Sequence, residues 1–255
     1  MDTWHGFRRH RFQFQGCEAW VVEPHQPLPG KPFTWCMMFP DAFTDRCAAP
    51  AMLERGFYHV YLSVGNTFGC PLALRNLNDF HLSLIDRGFS KQAALIGLSR
   101  GGLMAHRYAS EYPDFVRLIY GDAPVLDMKS WPGGHPRGSR SEGDWSAMKS
   151  AYGFATDADA MAYSGNPIDT LETLAQHKIP LIYVVGESDN VVPTEYNSDI
   201  AIERYRKLDG VVHVVRKPGV GHHPHGLDDP APIVAFMLQH SPEVQRVLAT
   251  PTDSK

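Results

Sequence analysis

The chain has 255 residues, of which 43% are hydrophobic, and its formal net charge is −4. This length is enough for one α/β domain with a filled core, and the slight acidity disfavours nucleic acid or an anionic membrane surface as a partner. No run approaches the roughly 18 apolar residues of a membrane span and the first residues lack a signal-peptide layout, so we expect a cytoplasmic protein, or an exported one whose leader is missing here.

The spacing of apolar residues predicts a chain that alternates strands and helices after an opening hairpin. The hairpin comprises residues 11–15 and 17–23 and turns at Gln15 and Gly16. The later strands run into loops and then helices, which is typical of a parallel sheet. Further strands are predicted at 33–39, 57–64, 93–96, 117–121, 180–186 and 211–215, and helices at 48–55, 72–87, 103–109, 144–152, 157–163, 169–177, 196–208 and 230–240.

A serine between two glycines stands where the strand at 93–96 ends and a helix begins. Residues 97–102 read Gly-Leu-Ser-Arg-Gly-Gly, and a Gly-x-Ser-x-Gly run in this context is the signature of a nucleophile elbow. We expect Gly97 and Gly101 to leave room for a tight backbone, so that Ser99 projects over the end of the sheet. The N–H groups at the start of the helix point to the same place, where they can stabilise a developing negative charge.

A serine hydroxyl needs a base to take its proton and an acid to orient that base. Two later strand ends offer both, because open α/β sheets gather functional side chains at the carboxyl ends of their strands. Glu187 and Asp189 follow one of these strands, and His222, His223 and His225 follow the other. The alternative for the histidine tract is a metal site. A serine elbow and an acid loop already call for a base, so we expect neither a metal nor an organic cofactor.

Residues 122–168 are too numerous for a short crossover between two strands. They contain a Gly/Pro-rich loop with Trp131 and two short predicted helices. A tryptophan in such a loop, at the mouth of a site, more often lines a pocket than a bare surface. We therefore predict a cap-like insertion at about 122–168 within a single domain that spans 1–255, with a plain surface loop as the alternative.

From about residue 11 to residue 248 the sequence resembles the α/β-hydrolase superfamily. The resemblance rests on the elbow, on the acid loop Gly-Glu-Ser-Asp-Asn-Val-Val-Pro at 186–193, and on Asn-Pro-Ile-Asp at 166–169. The last run is also usual in the prolyl-oligopeptidase-like and acetylesterase branches. The resemblance implies an α/β-hydrolase fold, with a mostly parallel sheet, helices on both faces and a small cap insertion.

The same resemblance implies a catalytic triad of Ser99, Asp189 and His222. Asp189 precedes the Val-Val-Pro of the acid loop, and His222 follows Gly-x-Gly, where this superfamily usually places its base. Glu187 is the alternative acid. His223, and after it His225, is the alternative base.

The resemblance also implies an oxyanion hole of two backbone N–H groups. One belongs to Arg100, the residue after the nucleophile, and the other to the loop after the strand at 33–39. Pro40 has no N–H to give, so we expect Asp41 or Ala42 as the second donor. The sequence departs here from the His-Gly pair that is common in lipases.

The Arg100 side chain has two interpretations. It can bind a carbonyl or carboxylate of the substrate, as the similar Ser-Arg pair of glucuronoyl esterases suggests. It can instead be structural and pair with an acid such as Asp122 beneath the elbow.

Three further runs resemble a bacterial hydrolase group often placed with carbohydrate esterases. They cover 63–71, 122–134 and 221–227. The candidate substrate contacts that follow, each with a scaffold role as the alternative, are Asn66, Asp122, Lys129, Trp131 and His223.

We therefore expect a serine carboxylesterase that acts on a small polar acyl ester, first of all a sugar acetate. Tryptophan stacks well on a sugar ring, and the cap lacks the broad apolar face that a lipase needs. The alternatives are a small peptidase or amidase of the prolyl-oligopeptidase type, a uronate-ester esterase, and a binding module without catalysis. The expected partner is a small-molecule ester and neither nucleic acid nor a membrane, and the oligomeric state stays open.

The four cysteines are expected to be buried thiols, with a disulfide between strand neighbours as the alternative.

Overall fold

The strands of this protein form one sheet in a computed structural model that describes residues 2–242. Residue 248, where the resemblance ends, lies outside these residues. The strands are β1 (Asp2–Trp4), β2 (Phe7–Phe14), β3 (Cys17–Glu23), β4 (Phe33–Cys36), β5 (Tyr58–Leu62), β6 (Ala93–Leu98), β7 (Val116–Asp122), β8 (Leu181–Gly186) and β9 (Val212–Lys217).

The α-helices lie in the connections between strands and after the last strand. They are α1 (Ala49–Glu54), α2 (Pro71–Asp86), α3 (Arg100–Glu111), α4 (Glu142–Tyr152), α5 (Asp157–Ala162), α6 (Leu171–Gln176), α7 (Ser198–Lys207) and α8 (Ala231–Gln239). Side-chain caps begin both helices of the 122–168 insertion: the Ser141 hydroxyl accepts a hydrogen bond from the Asp144 N–H, and Thr156 forms a capping box with Asp159.

The sheet has the strand order β1-β2-β3-β5-β4-β6-β7-β8-β9. The pairs from β1 to β5 are antiparallel, and every pair from β5–β4 to β8–β9 is parallel. Because parallel strands end at the same edge of a sheet, the loops after β4, β6, β7, β8 and β9 meet there. That edge carries Ser99, Asp189 and His222.

Side chains of the central strands enter two apolar cores, one on each face of the sheet. In β8, Tyr183 and Val185 pack with residues of α2, α3, α6 and α7, whereas Ile182 and Val184 share a core with α1 and α8. This alternation fixes the register, because a slip of one residue would exchange the two faces.

A third, smaller apolar cluster joins the insertion to the carboxyl edge of the sheet. Trp131 and Trp145 of the insertion pack there with Phe68, Leu103 and Val192. The insertion therefore lies beside the elbow that carries Ser99.

The predicted mostly parallel sheet with helices on both faces is confirmed. One local prediction is wrong, because the strand predicted at 33–39 ends at Cys36 and the chain turns at Phe39, whose φ is 60°. The short strand β1 was not predicted.

Other expectations have separate outcomes. All four cysteines are free thiols. Within residues 2–242 no helix is both long and apolar enough to cross a bilayer. That residues 1–255 form a single domain stays a prediction.

Candidate active site

Ser99 lies on a sharp turn between β6 and α3. Its φ of 49° and ψ of −116° form a combination that residues other than glycine rarely adopt, and such strain typically costs about 1–3 kcal/mol. The Ser99 N–H donates to the Asp122 carbonyl at 2.9 Å, and the Val125 N–H donates to the Ser99 carbonyl at 3.0 Å. The end of β7 and the loop after it therefore hold the serine in its strained conformation.

Gly97 and Gly102 make this turn possible, and of these two only Gly97 was predicted. A Cβ on Gly97 would lie 2.7 Å from the Gly101 carbonyl oxygen, and a Cβ on Gly102 would lie 2.3 Å from Pro124 Cβ. A Cβ on Gly101 would meet Met38 Cβ at 3.3 Å, which is also a tight contact. The strictest requirement is therefore at Gly97 and at Gly102, and Gly102 was not predicted.

Ser99, His222 and Asp189 form a continuous chain of hydrogen bonds. His222 Nε2 lies 3.0 Å from Ser99 Oγ, and His222 Nδ1 lies 2.7 Å from Asp189 Oδ2. A ring that donates through Nδ1 leaves Nε2 to accept the serine proton, which is the tautomer that a general base needs.

The loop after β8 orients Asp189. Its carboxylate is fully buried, and Oδ1 accepts the N–H groups of Val191 and Val192, both at 2.9 Å. These bonds turn Oδ2 toward the His222 ring. Glu187, the alternative acid, is exposed to solvent.

A cavity of about 290 Å³ opens above Ser99. This volume lies at the lower end of the range for small-molecule pockets. A wider groove of about 790 Å³, lined by the first strands, contains no serine. The cavity above Ser99 is lined by Phe39, Ala42, Phe43, Leu98, Ser99, Arg100, Trp131, Val191, His222, His223 and His225.

The loop after β4 contains a third candidate for the second oxyanion donor besides Asp41 and Ala42. The Ala42 N–H already donates to the Phe39 carbonyl at 3.0 Å, and Asp41 is not among the residues that line the cavity. The Phe39 N–H has no hydrogen-bond partner within residues 2–242, and Phe39 lines the cavity. Sequence reasoning missed Phe39 because the turn at its positive φ, directly before Pro40, cannot be inferred from a Met-Met-Phe-Pro run.

Arg100 Nη1 donates to Asn66 Oδ1 at 2.7 Å and to Asp144 Oδ1 at 2.8 Å, so its side chain links the elbow to α4. The guanidinium also lies over the rings of Phe39 and Trp131, at 5.4 Å from each centroid. The expected structural pair with an acid exists, but its acid belongs to the insertion and is not Asp122.

Three of the expected substrate contacts lie outside the cavity. Asp122 is completely buried and accepts hydrogen bonds from Tyr120, His225 and the Gly226 N–H. Asn66 is exposed and is bonded to Arg100, and Lys129 is not among the lining residues. Trp131 and His223 do line the cavity.

The three histidines of the 222–225 tract lie together at the cavity. One ring nitrogen from each lies within 4.8 Å of the others, a spacing that a metal ion could bridge. Both ring nitrogens of His222 are already bonded, so a metal there would compete with Ser99 or Asp189. Burial, followed by the nearby rings of His225 and His222, lowers the pKa of His223.

The sequence matches the model of the alpha/beta hydrolase family over residues 5–236. The chain belongs to the alpha/beta hydrolase family. Together with the serine on its elbow, this membership makes the protein a serine hydrolase. No curated protein sequence matches the chain significantly.

Several solved structures share the fold at low sequence identity. An acylaminoacyl peptidase of Pyrococcus horikoshii has a TM-score of 0.61 and 14% identity, and the match covers 98% of this chain and 42% of that one. Dipeptidyl peptidase 4 of Porphyromonas gingivalis has a TM-score of 0.66 and 12% identity, and the match covers 91% and 34%. The chain thus spans well under half the length of both peptidases.

A protein of Acinetobacter baumannii that is assigned as a lipase matches along nearly all of its length. Its TM-score is 0.59 at 14% identity, with 92% of each chain covered. Likeness at such identities establishes the fold of the present chain, and its substrate has to be argued from the site.

Proposed function

We propose that the protein is a serine carboxylesterase that hydrolyses a small ester of a polar alcohol. The observation that carries this proposal is the chain of hydrogen bonds from Asp189 through His222 to Ser99, which ends in a cavity of about 290 Å³. A cavity of this size suits a short acyl group with one compact alcohol, and it is too small for a long acyl chain with its glycerol.

The geometry supports the following course of reaction. Ser99 Oγ attacks the ester carbonyl carbon while His222 Nε2 takes the hydroxyl proton, and the Arg100 and Phe39 N–H groups bind the oxyanion. The tetrahedral intermediate then collapses, and His222 returns the proton to the leaving alcohol. Water, deprotonated by the same histidine, hydrolyses the acyl-enzyme and regenerates Ser99.

A sugar acetate is the substrate class that we favour. The lining of the cavity includes the flat ring of Trp131, and the histidine tract borders the same space. A ring that stacks a sugar and nearby groups that bind hydroxyls are what a carbohydrate alcohol requires. The charge of Arg100 is already paired with Asp144, which argues against a uronate carboxylate as its main partner.

Peptide or amide hydrolysis is the second candidate function. It is favoured by the likeness to the acylaminoacyl and dipeptidyl peptidases. The same triad serves esters and amides, so the three side chains do not discriminate between the two reactions. The near full-length match to the protein assigned as a lipase supports the ester.

Steady-state kinetics on the purified protein test the proposal. The substrates are p-nitrophenyl acetate, acetylated monosaccharides, a uronate methyl ester and amino-acyl p-nitroanilides, each with wild type and with Ser99→Ala. We expect acetate esters to be cleaved and Ser99→Ala to lower kcat/KM by about ten-thousand-fold or more. Cleavage of the anilides with no cleavage of acetate esters would contradict the proposal and favour the peptidase.

A further inference from the structure

The active-site loop contains a second histidine that is paired with a buried aspartate. His225 Nδ1 lies 2.6 Å from Asp122 Oδ1, a distance close to that between His222 and Asp189. Both members of the second pair are buried, with 4% of His225 and none of Asp122 exposed. The proposed reaction assigns no step to this pair.

The surroundings of Asp122 fix the orientation of the His225 ring. Asp122 Oδ2 accepts the Tyr120 hydroxyl at 2.6 Å and the Gly226 N–H at 2.8 Å, while Oδ1 faces His225. Since the carboxylate oxygens act as acceptors, the His225 ring donates through Nδ1. The Phe43 ring packs edge-on against the His225 ring at a centroid distance of 5.4 Å, and this contact also restricts the orientation of the histidine.

The second ring nitrogen of His225, Nε2, is available to bind a ligand. Nε2 has no hydrogen-bond partner within residues 2–242. Because it is also absent from the fully buried polar atoms that lack a partner, this nitrogen is accessible. His225 lines the cavity together with Ser99 and His222. In a neutral ring that donates through Nδ1, Nε2 carries a lone pair and accepts a hydrogen bond from a hydroxyl.

The place of His225 in the cavity indicates which part of a substrate it meets. Its ring centroid lies 5.0 Å from that of His222, the group that returns a proton to the leaving alcohol. The leaving oxygen must lie next to His222 Nε2 at that moment. A hydroxyl carried one or two carbons away on the same alcohol then lies beside His225.

We propose that His225, oriented by Asp122, determines specificity by accepting a hydrogen bond from a hydroxyl of the leaving alcohol. This inference rests on the proposed esterase function and adds to it a preference for esters of vicinal diols and polyols over esters of simple alcohols. Asp122 is in this account a positioning residue, and His225 Nε2 is the atom that touches the substrate.

A pair of isosteric substrates isolates this contact. In 2-hydroxyethyl acetate and propyl acetate the acyl group and chain length are the same, and a hydroxyl in one replaces a methyl in the other. His225→Asn keeps an N–H near the position of Nδ1 for Asp122 and removes Nε2, whereas His225→Gln places an amide near the position of Nε2. His213→Asn, on the exposed face of β9, is the matched control.

The quantity to measure is the ratio of kcat/KM for the hydroxylated ester to that for propyl acetate. A general loss of activity or of folded protein cancels in this ratio. We expect it to fall by about fivefold in His225→Asn, the size of one neutral hydrogen bond, to recover in part in His225→Gln, and to stay at the wild-type value in His213→Asn.

Two results would overturn the inference in distinguishable ways. If wild type hydrolyses both esters and the ratio is the same in His225→Asn, the pair is structural and only this inference fails. If wild type hydrolyses neither of these esters nor p-nitrophenyl acetate, the proposed esterase function fails and the inference fails with it.

Discussion

Two histidines three residues apart in one loop each hydrogen-bond a buried aspartate at the carboxyl edge of the sheet. His222 with Asp189 reaches Ser99 Oγ, whereas His225 with Asp122 reaches no side-chain nucleophile and faces the cavity with a nitrogen that has no partner within residues 2–242. The two pairs have nearly the same internal geometry. The two histidines therefore differ in what Nε2 contacts: a nucleophile in His222, which makes it a general base, and the open cavity in His225, which makes it a binding group.

The largest expected difference between the pairs lies in the histidines themselves. His222→Asn removes the base and should lower kcat/KM for p-nitrophenyl acetate by about ten-thousand-fold to a million-fold, as losses of triad members do. His225→Asn should cost far less, because it leaves the serine and its base in place. Parallel kinetics of the two variants check this, and equal losses would break the distinction drawn between the pairs.

The aspartates should differ in the kind of damage that their loss causes. Asp189→Asn is expected to reduce kcat by about ten-thousand-fold, because an amide no longer fixes the His222 tautomer. Asp122→Asn leaves three buried donors facing an amide and should lower the free energy of unfolding by about 3 kcal/mol.

Urea unfolding and kinetics on both aspartate variants measure the two effects. Asp209→Asn is the control, since Asp209 is exposed and its φ of 57° suits asparagine. A stable Asp122→Asn protein with a ten-thousand-fold loss of kcat would reverse the assignment of acids.

Three other buried histidines have no aspartate as a hydrogen-bond partner within residues 2–242. His106 lies between the Gly102 carbonyl and the Tyr183 hydroxyl, at 2.7 Å from each, and burial lowers its pKa to about 4. Burial likewise lowers the pKa of His81 to about 4 and that of His59 to about 3. Within residues 2–242 none of these three rings is hydrogen-bonded to an acid.

The consequence is a loss of stability in acid. At pH values between the histidine pKa of the unfolded chain, near 6.5, and the lowered pKa values of the folded protein, these histidines bind protons in the unfolded state but not in the native state. Stability is therefore complete above that range and falls with pH by about 1.4 kcal/mol per unit for each such histidine. Urea unfolding from pH 7 to pH 4.5 should show this slope, and His106→Gln should reduce it by about one proton. An unchanged slope in the variant would mean that His106 does not contribute.

The elements that position the site were predictable because their signals are local. The Gly-x-Ser-x-Gly run between an apolar strand and a helix marks Ser99, and the polar residues after the last two strands, β8 and β9, mark Asp189 and His222. The pattern of apolar residues likewise predicted the strands other than β1, and the helices, to within a few residues.

The wrong or missing predictions concern residues whose partners are set by contacts between segments far apart in the sequence. Nothing local indicates that Arg100 pairs with Asp144, because the insertion must first fold over the elbow. The resemblance of the 122–134 run implies a substrate contact at Asp122, with a scaffold role as the alternative, and the carboxylate is in fact enclosed by His225, Tyr120 and Gly226. The candidate donor Phe39 was not predicted because its conformation depends on how the chain turns after β4.

In the proposed reaction Ser99, activated by His222, becomes acylated during turnover. The direct measurement is mass spectrometry of the protein quenched in acid during hydrolysis of p-nitrophenyl acetate, with the modified residue located by peptide mapping. We expect one acetyl group on Ser99 in wild type and none there in His222→Asn. An acetyl group on another residue, or turnover with no acetylated protein in a burst experiment that resolves the first cycle, would contradict it.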